Sequence, residues 1–300
     1  MKRVYSIALC LALFFGIASI AQAAPANRGC KPTGNGTSKS PYNLCYAQDF
    51  EKIRSHPSAH FQLAQNIDFS GTPSWEPIPE FSGSLDGRHY AIMNLWSEKN
   101  GLFLISNGDI KDLPLRNANI NGGDGVAALA QTNYGTIVNV TVEGNIHAER
   151  ASGGIAAVNY GVIDRSSTTG WVTAKESGAA GFVHDNYGTI TRSRSTSNTY
   201  GPYVYGPNGA TGFVYINSSG GKIMDCQAGG HSITFTDYGS TFAIFNYGTI
   251  LRSSAFGNIY SVYSQNQYNT LGLFIPVNLG TVQSSNAFGK FLPIDAQSQW

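Results

Sequence analysis

The strongest constraint on this chain is a corner that keeps returning. The string Asn-Tyr-Gly-Thr-Ile stands at Asn133 to Ile137, Asn186 to Ile190 and Asn246 to Ile250. Near copies are Asn159-Tyr160-Gly161-Val162-Ile163 and Asn278-Leu279-Gly280-Thr281-Val282, and a looser one runs from Asn217 through Ser218, Ser219, Gly220 and Gly221 to Ile223. A weaker first member, Asn107-Gly108-Asp109-Ile110, precedes Asn133 by a similar step. The leading asparagines thus recur at a period of roughly 30 residues, inside the range of about 20–50 residues that marks a stack of like units. Most copies follow a Gly-led apolar run, such as Gly154-Ile155-Ala156-Ala157-Val158 or Gly181-Phe182-Val183, too short for a helix. Asn and Gly both tolerate left-handed backbone, so Asn-Tyr-Gly reads as a tight corner between two strands. Strand, corner and strand at near-constant length make one coil of a parallel solenoid.

Coils that stack about 4.8 Å apart bring each side chain against its equivalent above and below. Ile110, Ile137, Ile163, Ile190, Ile223, Ile250 and Val282 are therefore expected to form an inward aliphatic ladder. Three positions further on stand Leu113, Val140, Ser166, Ser193, Cys226, Ser253 and Ser285, a mostly small column. Cys226 falls in it and reads as a buried structural thiol rather than a nucleophile.

The start of the chain bears on its compartment. Lys2 and Arg3 precede an apolar run from Val4 to Ile20, and Ala21-Gln22-Ala23 supplies the small-x-small pattern of a cleavage site. Residues 1–23 are expected to be a signal peptide, the run being short for a membrane span. Export places the chain in the periplasm, at the cell surface or outside the cell. Such a compartment favours a disulfide between Cys30 and Cys45, worth about 3 kcal/mol in the chain-entropy account. Residues 24–60 are read as an N-terminal segment in which Tyr46 to Arg54 forms a short helix capping an open strand edge. The helix of strands is placed at 61–300. Both basic residues of the leader leave with it, so the exported chain is nearly neutral, which excludes an electrostatic case for nucleic acid or an anionic membrane.

Taken together, these repeats resemble the GLUG-motif repeat family, found in surface adhesins and in the non-catalytic region of some immunoglobulin-A proteases. The six Gly-apolar-Asn-x-Gly-x-Ile copies from Gly125 onward carry the resemblance. Upstream, Phe61-Gln62-Leu63-Ala64-Gln65-Asn66-Ile67-Asp68-Phe69 looks like the opening of filamentous-haemagglutinin-like β-helix adhesins. So do Phe81-Ser82-Gly83-Ser84-Leu85-Asp86-Gly87, Tyr90 to Leu95 and Gly101-Leu102-Phe103. The resemblance spans roughly Cys45 to Phe288. It implies an all-β, single-stranded right-handed parallel β-helix, here of about seven coils with an N-terminal cap. It also implies a surface or secreted location and adhesion as the commonest role.

A search for chemistry finds little in the sequence. None of the six histidines sits in an H-E-x-x-H zinc motif, and His56 and His60 are separated by Pro57, Ser58 and Ala59. Polysaccharide hydrolases on this fold need two or three acids about 5–10 Å apart. The candidates Asp164, Asp185 and Asp225 stand at different offsets from their corner asparagines and read as solvated turn acids. No catalytic residue, metal ligand or cofactor is expected, and the chain is read as not an enzyme.

Binding has a better candidate in Tyr200, Tyr203, Tyr205, Tyr260, Tyr263 and Tyr268, which lie in the long coils. Tyr200 and Tyr260 stand at the same offset from their corner asparagines, Asn186 and Asn246, and Tyr203 and Tyr263 share a second offset. With one coil between, each pair is expected about 10 Å apart on one side of the solenoid. Such rings suit an extracellular glycan or protein ligand; the competing reading is strand-forming tyrosines that stack on one another. The functional expectation is a secreted or surface binding module, acting in adhesion, with no nucleic-acid partner, no membrane insertion and the oligomeric state open. The alternatives are a polysaccharide-active lyase or hydrolase and a structural envelope component.

Overall fold

A column of aliphatic side chains organises the molecule. The computed structural model describes residues 29–201, 209–235, 238–261 and 270–293. The leader, Tyr203, Tyr205, Tyr263 and Tyr268 lie outside those residues. Among the described residues every pairing between strands is parallel. Ile110 pairs in register with Ile137, then Ile163, Ile190, Ile223, Ile250 and Val282. The six isoleucines are fully buried, each worth about 1.5–3 kcal/mol of transfer out of water. The seven-coil parallel β-solenoid expected from the corners is thus present. The same column continues upstream through Leu85, Phe61 and Tyr42.

Eight strands form one face: Ile78–Phe81, Phe103–Ser106, Ala130–Asn133, Ala156–Asn159, Val183–Asn186, Val214–Asn217, Ala243–Asn246 and Val277–Asn278. Beneath them Phe182, Phe213, Phe242 and Phe274 stack at 4.7, 5.1 and 4.6 Å between ring centroids.

The corner asparagines Asn133, Asn159, Asn186, Asn217 and Asn246 are buried, and those from Asn159 to Asn246 each both donate and accept along the stack. Nδ2 of Asn133 donates to Oδ1 of Asn159 at 2.8 Å, and the chain runs on through Asn186, Asn217, Asn246 and Asn278 at 2.9, 2.8, 2.8 and 2.7 Å. A stack of identical residues can bond to itself only if the side chain both donates and accepts, and an amide does so. That requirement selects Asn at the corners from Asn133 to Asn278; in the coil before, the register position is taken by Ser106, so the weaker member read as starting at Asn107 puts its asparagine one residue late.

The corner glycines are required for a different reason from the one expected. Their backbones are not left-handed; a Cβ at Gly135, Gly161 or Gly188 would collide with the carbonyl oxygen of Gly108, Gly135 or Gly161 in the coil before. The left-handed positions belong to the next corner, at Asp112, Asn139, Arg165, Arg192, Asp225, Arg252 and Ser284, with φ between 46° and 57°. Immediately after that corner comes the small column. The hydroxyl of Ser166 accepts the Val140 N–H and that of Ser193 accepts the Ser166 N–H, both at 3.1 Å. Cys226 is buried there, its thiol donating to the Met224 carbonyl at 3.2 Å and its pKa pushed up to about 12 by burial.

At the N-terminal side, the strand Tyr42–Leu44 pairs with His60–Leu63. Between them lie a 3-10 turn, Ala47–Phe50, and an α-helix, Glu51–Ser55. The Asp49 carboxylate accepts the N–H groups of Cys45 and Tyr46 at 2.8 and 3.0 Å. Phe50 and Ile53 are fully buried, Phe50 meeting Phe69 and Trp75 edge-on at 5.3 and 6.1 Å. Cys30 and Cys45 are disulfide-bonded, as expected.

Candidate functional site: a tyrosine ladder on the coil corners

The residue after each buried asparagine projects outward. Its N–H is held by the coil before: Tyr160 donates to the Asn133 carbonyl, Tyr187 to Asn159 and Tyr247 to Asn217, each at 2.8 Å. With the asparagine turned in and the glycine pressed against the coil before, the tyrosine side chain turns to solvent. Tyr134, Tyr160 and Tyr187 stack at 4.9 and 4.7 Å, with rings within 5° and 15° of parallel. They remain 53%, 46% and 44% exposed. The looser corner interrupts the series with Ser218; Tyr247 and Leu279 resume it, both exposed. Desolvation, followed by the neighbouring Tyr187 and Tyr134, raises the Tyr160 pKa. Alongside run Thr136, Val162, Thr189, Lys222, Thr249 and Thr281, paired in register.

The structure places the expected tyrosines as follows. Tyr200 pairs with Ile233, and Ile233 with Tyr260, so the two share a column with one coil between them. Both are half-buried: Tyr200 lies against Phe235 at 5.0 Å, and Tyr260 meets His231 edge-on at 5.4 Å. The ladder of Tyr134, Tyr160 and Tyr187 was legible as a repeated letter, but the expectation assigned those residues to corner-making and not to a surface.

Two of the three acids, Asp164 and Asp225, are engaged in ion pairs. Asp164 is not a solvated turn acid: its side chain is 8% exposed and is gripped by Arg165 and Arg192, each at 2.7 Å. Burial pushes its carboxyl up, but hydrogen bonds from Arg192 and Thr191 and the two guanidinium charges outweigh burial and hold it below the usual range. Asp225 pairs with Arg252 at 2.7 Å and is likewise lowered. Asp185 faces His184 at 3.1 Å. Among the described residues, no three His, Cys, Asp or Glu side chains are grouped to hold a metal ion, and no helix is long and apolar enough to cross a membrane.

Residues 48–144 match the family model of the M26 IgA1-specific metallo-endopeptidase N-terminal region. Halomucin of Haloquadratum walsbyi is 30% identical over 207 residues, taking in 52% of this chain and 2% of Halomucin. This chain therefore spans a small part of that relative. Among solved structures, a putative immunoglobulin A1 protease from Bacteroides ovatus superposes with a TM-score of 0.58 at 19% identity, covering 89% of this chain and 82% of that one. An IgA1 protease gives a TM-score of 0.52 at 18% identity, covering 85% of this chain and 22% of that one. At these identities the two structures establish the solenoid fold. The expectation that the chain is not an enzyme is corrected here: the matching family model is that of the N-terminal region of a metallo-endopeptidase, and the two structural relatives are named as a putative immunoglobulin A1 protease and an IgA1 protease. The likeness to GLUG repeats remains a resemblance of sequence.

Proposed function

We propose that this chain is a surface or secreted β-solenoid that holds a macromolecular ligand along its tyrosine ladder, in the service of IgA1-protease-like activity. The observation that carries the reading is the rank of Tyr134, Tyr160 and Tyr187, stacked on one another yet roughly half exposed. Tyrosine is enriched at binding hot spots because a large rigid ring buries area at small entropic cost while its hydroxyl keeps a polar contact. Stacking fixes the rings before any ligand arrives, which lowers the ordering cost of binding. A solenoid suits an elongated ligand, because each coil adds one equivalent contact to the same line.

The comparisons supply a first ligand to test. Similarity to the M26 N-terminal region over residues 48–144 favours immunoglobulin A1 as the first protein to test, ahead of matrix proteins and glycans. The experiment is saturable binding of the chain from Ala24 to immobilised IgA1, followed by examination of the same IgA1 for cleavage. Saturable binding supports the ladder reading. Cleavage of the bound antibody would locate the protease chemistry within this chain. Absence of binding to IgA1, matrix proteins and glycans alike would overturn the proposal.

A further inference from the structure

A second surface lies on the strands that follow the charged corner, separated from the tyrosine ladder by a strand and that corner. In register across four successive coils stand Trp96, Asn119, Asn145 and Trp171. All four are exposed, the two indoles at 40% and 42%. Trp96 and Trp171 are three rungs apart, about 14 Å at the spacing of paired strands. The amide side chains of Asn119 and Asn145 make no hydrogen bond among the described residues, so donors and acceptors face solvent between two flat apolar rings. Corner asparagines elsewhere spend their amides on each other; these two do not.

The column carries no charge. In the column on one side, Asn121, His147 and Thr173 pair in register, and His147 shares a 2.7 Å hydrogen bond with Thr173. Burial lowers the His147 pKa, which keeps that flank neutral near pH 7. On the other flank Arg116 and Glu143 are opposite in sign. That flank therefore offers no line of a single charge for a charged polymer to follow. The rung spacing is instead close to the advance of one sugar along an extended β-linked chain. Indole faces attract the C–H faces of pyranose rings, and free amides match ring hydroxyls as donor and acceptor at once.

We infer that Trp96, Asn119, Asn145 and Trp171 form a binding strip for a neutral, extended β-linked polysaccharide, with a sugar over each indole and the amides reading the hydroxyls between. This site goes beyond the tyrosine ladder and does not depend on it. A protein ligand for the same strip would need apolar anchors with pockets to fill, and the strip is open and shallow.

The test is titration calorimetry of the chain from Ala24 with cello-, chito- and manno-oligosaccharides, from disaccharide to hexasaccharide. At least one series is expected to bind, with affinity rising tenfold or more from the disaccharide to the tetrasaccharide, the length that reaches both indoles. Trp96→Ala and Trp171→Ala should each weaken the tetrasaccharide by tenfold or more. Asn145→Asp should weaken it several-fold, while Tyr187→Ala should leave it unchanged. Both tryptophans are exposed, so the variants are expected to fold, and circular dichroism confirms it. No binding in any series, binding unmoved by both tryptophan variants, or a strip that proves to bind IgA1 in place of sugar would overturn the assignment.

Discussion

Asn159 shows how one side chain is held by its neighbours on both sides. Its Nδ2 donates to Asn186 and its Oδ1 accepts from Asn133, all of it buried. Asn159→Ala leaves a donor and an acceptor unmatched in the flanking coils, and the expected cost is about 2–4 kcal/mol in urea unfolding. A loss under about 0.5 kcal/mol, the lower end of a single net hydrogen bond, would mean that the ladder is incidental to stability. Cys226 offers a second residue-level check. With its thiol pushed up to about 12 by burial, it should resist iodoacetamide at pH 8 while folded and react fully once unfolded; fast labelling of the folded chain would contradict its placement. The burial of Cys226 was legible in the sequence because the members of a column meet one another in a stack; the burial of Asn159 was not. Nor could the backbone be read. Asn-Tyr-Gly looked like a left-handed turn, whereas its glycine is required by the neighbouring coil's carbonyl, and the left-handed residues proved to be Arg165, Arg192 and their equivalents. A contact between coils has no local signature.

At the scale of the element, the charged corners make a pH-dependent clamp between coils. Asp164 is held below its ordinary range in the folded state. The pair therefore adds stability at neutral pH, and that stability is lost as the pH falls below about 4, through the unfolded value towards the lower folded one. Replacing Arg192 with Gln should lower stability at pH 7 and flatten the acid limb of a melting-temperature profile; an unchanged acid limb would show that the pair is idle. The short helix Glu51–Ser55 and the turn before it are the second element to test. Phe50→Ala removes a fully buried ring facing Phe69 and Trp75, and about 3–5 kcal/mol should be lost. If Ala47–Ser55 also caps the strand stack, that variant should aggregate more readily as well. The helical turn was legible from Phe50 and Ile53. The Trp96 and Trp171 strip was not, since the first of its coils is short and lacks the full corner motif that sets the register.

For the whole molecule, the solenoid aligns surfaces that are distant in sequence into lines. Each line is one column of the repeat, so a partner reads the same position in successive coils rather than a pocket. The sequence placed Tyr200 and Tyr260 in one column correctly, yet their half-buried packing against Phe235 and His231 directs attention to the exposed corner ladder instead. Exposure depends on which face a loop covers, and a periodic pattern alone does not supply that. Removing the ladder should cost little stability, because its rings contribute mainly stacking of about 1–3 kcal/mol in total. It should cost most of the binding. The decisive measurement is the affinity for IgA1 of the chain from Ala24, compared with a variant carrying Tyr134→Ala, Tyr160→Ala and Tyr187→Ala. A folded variant that binds tenfold or more weakly is the expected result; a folded variant that binds IgA1 as well as the parent would contradict the ladder's role.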